Sequence, residues 1–414
     1  MNHKRGVSVL YLSYDGMTDP LGQSQVIPYL AGLTAKGYQV VLLSFEKPER
    51  YEILADHIQT VLGLHQISWV PLIYHKNPPV ISTIFDYGRM YIKATALHRQ
   101  YHFQIVHSRS YLSGMVGIRL KHKFGVRFVF DMRGFWADER VEGGLWNLNN
   151  PLFRLIFRFF KKQEKRMLSG ADYTISLTRA AKKAVHSWKD IPNQPIPIEV
   201  IPCCVDMALF NPKKIVKEEQ CDLRQKLGIE KKQFILTYLG SLGTWYMLEE
   251  MLMFFKHLLE SRPDAVFLFV TKDPADAINP SLKRLNIPEN KIILQSATRE
   301  AVPLLLSIST ASIFFIRPSF SKQASSATKM GEIMSMGIPF VTNKGWGDVE
   351  EIVTTSDYGV LLEDFTDEVY REKVKHLLNS INQYKELPAT LKNFYDLKEG
   401  VANYESVYQK IIQA

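Results

Sequence analysis

Twice along this 414-residue chain, short β-rich runs alternate with longer helical patterns. Alternation at that spacing closes best as a mostly parallel sheet with helices on both faces. In the first series it predicts strands over Val7–Leu12, Gln39–Phe45, Gln104–Ser108, Val126–Asp131, Tyr173–Leu177 and Ile198–Ile201. Helices are expected between them, at Ser24–Lys36, Asp86–Tyr101, Tyr111–Phe124 and Leu152–Leu168. The stretch from Trp188 to Pro212 carries Pro192, Pro195, Pro197, Pro202 and Pro212. Such proline density stops a helix and predicts a strand followed by a crossing between domains. The second series predicts strands over Phe234–Leu239, Ala265–Val270, Lys291–Gln295, Ala311–Ile316, Pro339–Thr342 and Gly359–Leu362. Its helices are expected at Met247–Ser261, Ala301–Ile308, Lys329–Met336 and Asp367–Ser380, and Asp396–Ile412 reads as a last helix apart from Gly400.

Length agrees, since about 150 residues per domain makes two large α/β domains the simplest solution. A hydrophobic share of 46% and a charged share of 22% exclude disordered and fibrous classes. Three cysteines, Cys203 beside Cys204 and Cys221 alone, exclude a disulfide framework and zinc-ligand spacing, so a reducing compartment is expected. No apolar run reaches the roughly 18 residues of a membrane span. The start MNHKRGVSVLYLSYDG is basic, but Ser13, Tyr14 and Asp15 break its short apolar stretch. It reads as a first buried strand rather than a signal peptide, and a cytoplasmic protein is expected. The formal net charge of +9 suits an anionic partner, whether phosphorylated metabolite, membrane surface or nucleic acid, or simply a soluble basic protein.

Ligands of doubly wound sheets bind beyond the carboxyl ends of the strands, so function is expected in the loops that follow them. The most informative is Arg317-Pro-Ser-Phe-Ser-Lys-Gln-Ala-Ser-Ser-Ala-Thr-Lys-Met-Gly-Glu332, which leaves the apolar run SIFFI and enters a helix ending at Gly337. Ser325, Ser326 and Thr328 are candidate N-caps, and a loop feeding a helix start is an anion site. Arg317, Lys322 and Lys329 add cations. Glu332, one turn after Thr328, can accept from a sugar diol or stand as a solvated helix glutamate. Gly240-Ser-Leu-Gly243-Thr-Trp-Tyr follows another strand and permits close backbone approach, as a ligand loop or as an ordinary βα turn. Asp15-Gly-Met-Thr-Asp-Pro-Leu-Gly22 is its counterpart in the first half. His107-Ser-Arg109 and Asp131-Met-Arg133-Gly134-Phe-Trp136-Ala-Asp138-Glu139 also follow apolar strands. Arg109 and Arg133 can contact an anionic substrate, Asp131, Asp138 and Glu139 can orient hydroxyls or a proton, and His107 reads more readily as structural. No Asp-x-Asp metal clamp, phosphate loop of the G-x-x-x-x-G-K-[ST] kind, H-E-x-x-H or G-x-S-x-G occurs. Residues 152–166, LFRLIFRFFKKQEKR, are basic and aromatic at helical spacing. They suit a membrane interface or a core-packed helix with a solvated basic face. A nucleic-acid surface is not expected, because aromatic and basic residues are not interleaved as a stacking platform needs.

Together these residues resemble the family 4 retaining glycosyltransferases, also called group 1 glycosyl transferases, of the GT-B fold. The resemblance runs through SYDGMTDPLGQSQVIPYLAGL, VIPCCVDMALFNP, LTYLGSLGTWY and ATKMGEIMSMGIPFVTNKGWGDVEEIV. Its most specific carrier is E-x-x-x-x-G-x-P at Glu332, Gly337 and Pro339, followed by Gly345, Gly347, Asp348 and Glu351. It implies two doubly wound Rossmann-like domains facing a central cleft. An acceptor domain over 1–205 would be completed by a returning helix at 396–414, and a nucleotide-sugar domain would span 206–395. It further implies that Glu332 binds the donor ribose, that Ser325 to Lys329 lie at the diphosphate, and that Gly22 belongs to the loop facing donor phosphates and acceptor. Three positions depart from the family pattern. Ala324 stands where the first glutamate of a pair is usual, Ser241 and Trp245–Tyr246 replace a common Arg and Lys, and Cys203-Cys204 replaces Asn-Gly. Arg317, Lys322 and Lys329 are the cations expected to substitute.

The resulting expectation is transfer of a sugar from a nucleotide-sugar donor to an acceptor hydroxyl, with retention and without an obligatory metal or other cofactor. The acceptor is expected to be a glycan or lipid-linked, in envelope polysaccharide or glycolipid synthesis at the inner face of the cell membrane. The expected catalytic set is Arg133, Asp138, Arg317 and Lys329. Gly22, Gly240, Ser241, Ser325, Ser326, Thr328, Lys329 and Glu332 form the donor side, and His107, Arg109, Trp136 and Glu139 the acceptor side. A sugar-nucleotide 2-epimerase and a catalytically silent nucleotide-sugar-binding subunit are the alternatives.

Overall fold

The computed structural model describes residues 6–383 and 387–413, so the basic start at residues 1–5 lies outside the described residues. The chain divides into two compact units, Met1–Cys204 with Leu397–Ala414, and Val205–Asp396. Each is built on one parallel sheet, as expected for two doubly wound Rossmann-like domains.

In the first unit the strands are β1 (Ser8–Ser13), β2 (Gln39–Glu46), β3 (Ser68–Ile73), β4 (Ile105–Arg109), β5 (Arg127–Asp131), β6 (Tyr173–Ser176) and β7 (Ile198–Val200). The helices are α1 (Pro20–Gln25), α2 (Ile27–Ala35), α3 (Pro48–Leu64), α4 (Ile81–Tyr101), α5 (Ser110–Phe124), α6 (Trp136–Glu142), α7 (Pro151–Gly170) and α8 (Arg179–His186). The strand order is β3-β2-β1-β4-β5-β6-β7. Strands covered on both faces need continuous apolar runs rather than alternation, and Val9 to Leu12 and Val40 to Leu43 are all buried. One strand is added to those expected and one helix is corrected. The run SWVPLI forms β3 despite Pro71, because β3 is an edge strand where a missing N–H is tolerated. The single helix expected over Ser24–Lys36 is two, broken at Val26 just before Pro28.

In the second unit the strands are β8 (Ile235–Leu239), β9 (Val266–Val270), β10 (Ile292–Gln295), β11 (Ala311–Ile313), β12 (Phe340–Asn343) and β13 (Val360–Leu362), in the order β10-β9-β8-β11-β12-β13. The helices are α9 (Lys217–Lys226), α10 (Leu248–Ser261), α11 (Asn279–Leu285), α12 (Val302–Ser307), α13 (Thr328–Ser335), α14 (Val349–Ser356), α15 (Asp367–Ser380) and α16 (Ala389–Tyr395). β11 is shorter than the expected Ala311–Ile316. Beyond Phe314, whose N–H still donates to the Val341 carbonyl of β12, the backbone changes partners: the Met247 N–H donates to the Phe315 carbonyl, and the Arg317 N–H to the Trp245 carbonyl. The Asn343 side chain closes the other edge, accepting from the Ile316 N–H and donating to its carbonyl.

The last helix, α17 (Leu397–Gln413), packs back onto the first unit, where Val401, Tyr404, Val407, Tyr408 and Ile411 join a core with α2 and β1. It runs unbroken through Gly400, contrary to the sequence expectation. A Cβ there would stand 2.8 Å from Cys204 Sγ and 2.9 Å from Tyr29 Cε1, so glycine is what lets this helix approach.

Strand order reverses between β1 and β4 in the first sheet and between β8 and β11 in the second. At such a switch point neighbouring loops diverge and open a crevice for ligands. The flanking segments are the loops beginning at Tyr14, Gly240 and Phe314, and the start of α5 at Ser110, which follows β4 directly.

Candidate active site

At the second switch point, the backbone exchange after β11 sets Trp245 against the loop from Arg317 to Ala327. The Arg317 guanidinium carbon lies 4.7 Å and the Lys322 Nζ 4.0 Å from the Trp245 ring centroid. Both distances are within cation–π range. Lys329, in the first turn of α13, is buried. Its Nζ lies 3.7 Å from the Tyr246 ring centroid and 4.2 Å from that of Tyr238, and donates to the Tyr238 hydroxyl at 3.1 Å. Burial pushes its pKa down to about 7, with the nearby Glu332 pulling it back up. Gly240 borders the same ammonium, since a Cβ there would stand 3.0 Å from Nζ. Ser241 is exposed, and its carbonyl accepts from the Tyr238 hydroxyl. The aromatic pair Trp245–Tyr246, standing where the family pattern has cations, thus collects two cations from the neighbouring loop and a third from the start of α13.

The cap expectation is corrected. Thr328 is the first residue of α13 and Ala327, with no side-chain oxygen to cap it, occupies the N-cap, while Ser325 and Ser326 sit half-buried just before it. Glu332 is buried and held by Arg299, whose NH1 lies 2.7 Å from Oε1. Arg299 follows β10, and its guanidinium carbon lies 5.2 Å from the Phe210 ring centroid. Nothing local in the sequence marks Arg299, which is 33 residues from its partner.

At the first switch point a buried carboxylate that sequence reasoning missed shapes the glycine loop. Glu46, the last residue of β2, accepts from the Met17 N–H (2.9 Å), the Thr18 N–H (3.0 Å), the Thr18 hydroxyl (2.7 Å) and the Ser44 hydroxyl. A carboxylate ending an otherwise apolar run was the available signal. Gly22 lies in α1, where a Cβ would meet the Gly16 carbonyl oxygen at 2.2 Å and Met17 Cα at 2.7 Å. Backbone atoms cannot step aside, so Gly22→Ala is expected to cost about 1–3 kcal/mol, read as a lowered urea midpoint with an unchanged slope.

Next to this loop, β4 and β5 bring together Arg109, Asp131, Arg133 and His107. Asp131 Oδ2 lies 3.9 Å from Arg109 NH1, 3.8 Å from Arg133 NH1 and 3.7 Å from His107 Nε2, and accepts from the Tyr404 hydroxyl at 3.1 Å. Burial pushes the Asp131 carboxyl up, but Arg133, His107 and Arg109 outweigh it and hold the pKa below the usual value. Arg133 stands at φ 58°, a left-handed conformation costing a non-glycine residue about 1–3 kcal/mol. His107 is sealed in the core beside Tyr11, its Nδ1 2.7 Å from the Tyr408 hydroxyl, and burial holds its pKa below the ordinary value. It therefore has no surface to offer an acceptor, which corrects its place on the acceptor side. Arg109 is also buried and reaches the half-buried Asp15 at 3.3 Å.

Asp138, Trp136 and Glu139 lie apart from that cluster on α6. Asp138 is held by Lys161 of α7 at 2.7 Å, and Trp136 packs edge-on to Phe160 and Trp146 with Arg140 above its ring. Glu139 is half-buried one turn after Phe135.

Comparison with known proteins shows two family matches in series, Glycosyltransferase Family 4 over residues 22–209 and Glycosyl transferases group 1 over residues 219–393. A D-inositol 3-phosphate glycosyltransferase of Segniliparus rotundus is 23% identical over 286 residues, 68% of this chain but only 60% of that relative's length. Among solved structures, sucrose-phosphate synthase of Thermosynechococcus elongatus superposes with a TM-score of 0.73 at 14% identity, covering 98% of this chain and 99% of that one. Anabaena HepE, solved in complex with UDP, gives 0.68 at 13% identity over 99% of this chain and 100% of that one. With both family patterns in their expected order on two parallel-sheet units, the chain belongs to the family 4, group 1 glycosyltransferases of the GT-B fold.

Proposed function

We propose that this protein transfers a glycosyl group, with retention, from a nucleoside-diphosphate sugar to a hydroxyl of a glycan or lipid-linked acceptor. The observation that carries this reading is the convergence of Arg317, Lys322 and Lys329 on the second switch point, with buried Glu332 three residues beyond Lys329. The bond from the anomeric carbon to the diphosphate oxygen breaks, the diphosphate leaves with the electron pair, and the acceptor oxygen takes its place on the same face as its proton passes to the departing diphosphate. Arg317, Lys322 and Lys329, with the positive end of α13, neutralise the charge gathering on the leaving group without an obligatory metal. Glu332, held by Arg299, receives the ribose hydroxyls. Retention rests on the family resemblance, and a uridine nucleotide is favoured because UDP is bound by the similarly folded Anabaena protein. Arg133 at the end of β5 and Asp138 on α6 are the proposed catalytic groups of the first unit.

No helix among the described residues is long and apolar enough to cross a membrane. The proposed setting is envelope polysaccharide or glycolipid synthesis, with peripheral membrane contact through residues 152–166 at the cytoplasmic face. Titration calorimetry with UDP, GDP, ADP and CMP, first with magnesium and then with EDTA, tests the donor site. One nucleotide should bind equally in both. Loss of binding in EDTA would sink the metal-free part, and no binding at all would sink the donor site. Release of sugar from the matching donor by slow hydrolysis would separate a transferase from a silent binding subunit.

A further inference from the structure

The excess positive charge is confined to one end of the sequence. Residues 1–204 hold 26 Lys and Arg against 15 Asp and Glu, whereas the remaining 25 and 27 nearly cancel. Within that half, α4, α5 and α7 together carry twelve Lys and Arg and only two acidic residues, Asp86 and Glu164. Both acids are fully buried. Asp86 accepts from the Tyr14 hydroxyl and the His75 N–H, and Glu164 from Tyr111 and Lys161. These three helices therefore present no carboxylate to solvent.

The helices lie side by side with α5 in the middle. On one flank, the Arg119 guanidinium carbon of α5 stands 5.2 Å from the Tyr87 ring centroid of α4. On the other, a Cβ at Gly114 of α5 would meet Met167 Sδ of α7 at 2.6 Å. The first part of α5, Tyr111 to Ile118, is buried, so α4 and α7 stand as two ridges. Ile81, Ile84 and Phe85 on α4 and Leu152, Leu155 and Phe159 on α7 are all exposed. Both helices return antiparallel to the strands they connect, so both apolar N-terminal segments lie at the carboxyl edge of the sheet. Exposed Arg119, Lys123, Lys162 and Arg166 lie toward the opposite edge.

We propose that this three-helix face seats the protein on an anionic lipid bilayer, with the apolar side chains of both ridges entering the headgroup–acyl boundary and the cations taking lipid phosphates. Large apolar residues flanked on α7 by exposed Arg154 and Arg158, with further cations along the same three helices and no exposed acid on them, match such a surface in both its layers. A nucleic acid would use the cations and leave the aliphatic side chains in water. The inference extends, and for α7 rests on, the contact proposed for residues 152–166. It adds α4 as an equal partner.

The test is co-sedimentation of the full chain with vesicles of phosphatidylcholine alone or mixed with phosphatidylglycerol. Binding is expected only to the mixed vesicles, weakening with salt. Ile84→Asp with Phe85→Asp, and separately Leu155→Asp with Phe159→Asp, should each lower binding more than about tenfold while thermal midpoint and nucleotide affinity stay unchanged. Lys162→Glu with Arg166→Glu gives a second reading of the same surface should an aspartate pair disturb folding. Loss with the α7 pair but not the α4 pair would overturn the three-helix face and leave the contact at 152–166 standing. Absence of vesicle binding, equal binding to neutral vesicles, or binding only to duplex RNA unaffected by either aspartate pair would overturn both.

Discussion

Asp131→Asn is expected to lower the free energy of unfolding by about 3–5 kcal/mol, because breaking a buried ion pair leaves an uncompensated buried charge. The carboxylate is fully buried and lies within 3.9 Å of both Arg109 and Arg133. Arg109 keeps Asp15 as a partner, whereas Arg133 is left near Cys203 Sγ, 3.5 Å from its NH2. Asparagine keeps the shape and removes the charge, so the loss is electrostatic rather than one of packing. The pH dependence follows from the depressed carboxyl pKa. The stability Asp131 contributes is fully present above the unfolded carboxylate value, near 3.8, and is lost as pH falls through the lower folded value. Denaturant curves of the two proteins should therefore lie far apart at neutral pH and converge in acid. Equal separation at all pH values would show that Asp131 acts through shape alone. Because Tyr404 donates to Asp131, amide exchange in α17 should also quicken in the variant.

How much of this was legible in the sequence depended on the range of the interaction. The strands Val9 to Leu12 and Val266 to Val270 announced themselves as uninterrupted apolar runs, since a residue covered on both faces has little reason to be polar. β3 was hidden by Pro71, whose cost vanishes only at an edge, and edge position is a property of the finished sheet. Glu46 escaped because the expected strand stopped one residue short of it, and three of its four donors come from Met17 and Thr18, brought near only by the fold. At the second switch point the loops and cations were legible but their pairing was not. Trp245 and Tyr246 read locally as the loss of two basic residues. Only the backbone exchange of Trp245 and Met247 with residues 315–317 brings Arg317, Lys322 and Lys329 to those rings. Arg299 on Glu332 is the same kind of long-range fact.

Lys329→Met is expected to weaken nucleotide binding about ten- to hundredfold, the worth of one charge-assisted contact to a diphosphate. It should also stabilise the nucleotide-free protein, and the opposite signs distinguish a binding lysine from a structural one. The free protein holds Lys329 buried among Tyr238, Tyr246 and Gly240, with its pKa near 7 rather than the ordinary 10.5. Between those two values the unfolded chain binds a proton that the folded chain does not, so stability rises with pH across that window. Methionine fills the same space with no charge to desolvate and removes the slope. A bound diphosphate reverses the preference, because it favours the ammonium. Above about pH 7, binding must then take up a proton, and affinity should fall by nearly tenfold per pH unit until the lysine titrates in the complex as well. Calorimetry at pH 8.5 in two buffers of different ionisation enthalpy reads that proton directly. Uptake approaching one proton in the parent protein and none in Lys329→Met would place the ammonium on the diphosphate. A pH-independent affinity, or a methionine variant that binds as the parent does, would remove Lys329 from the donor site and leave Arg317 and Lys322 to carry the charge.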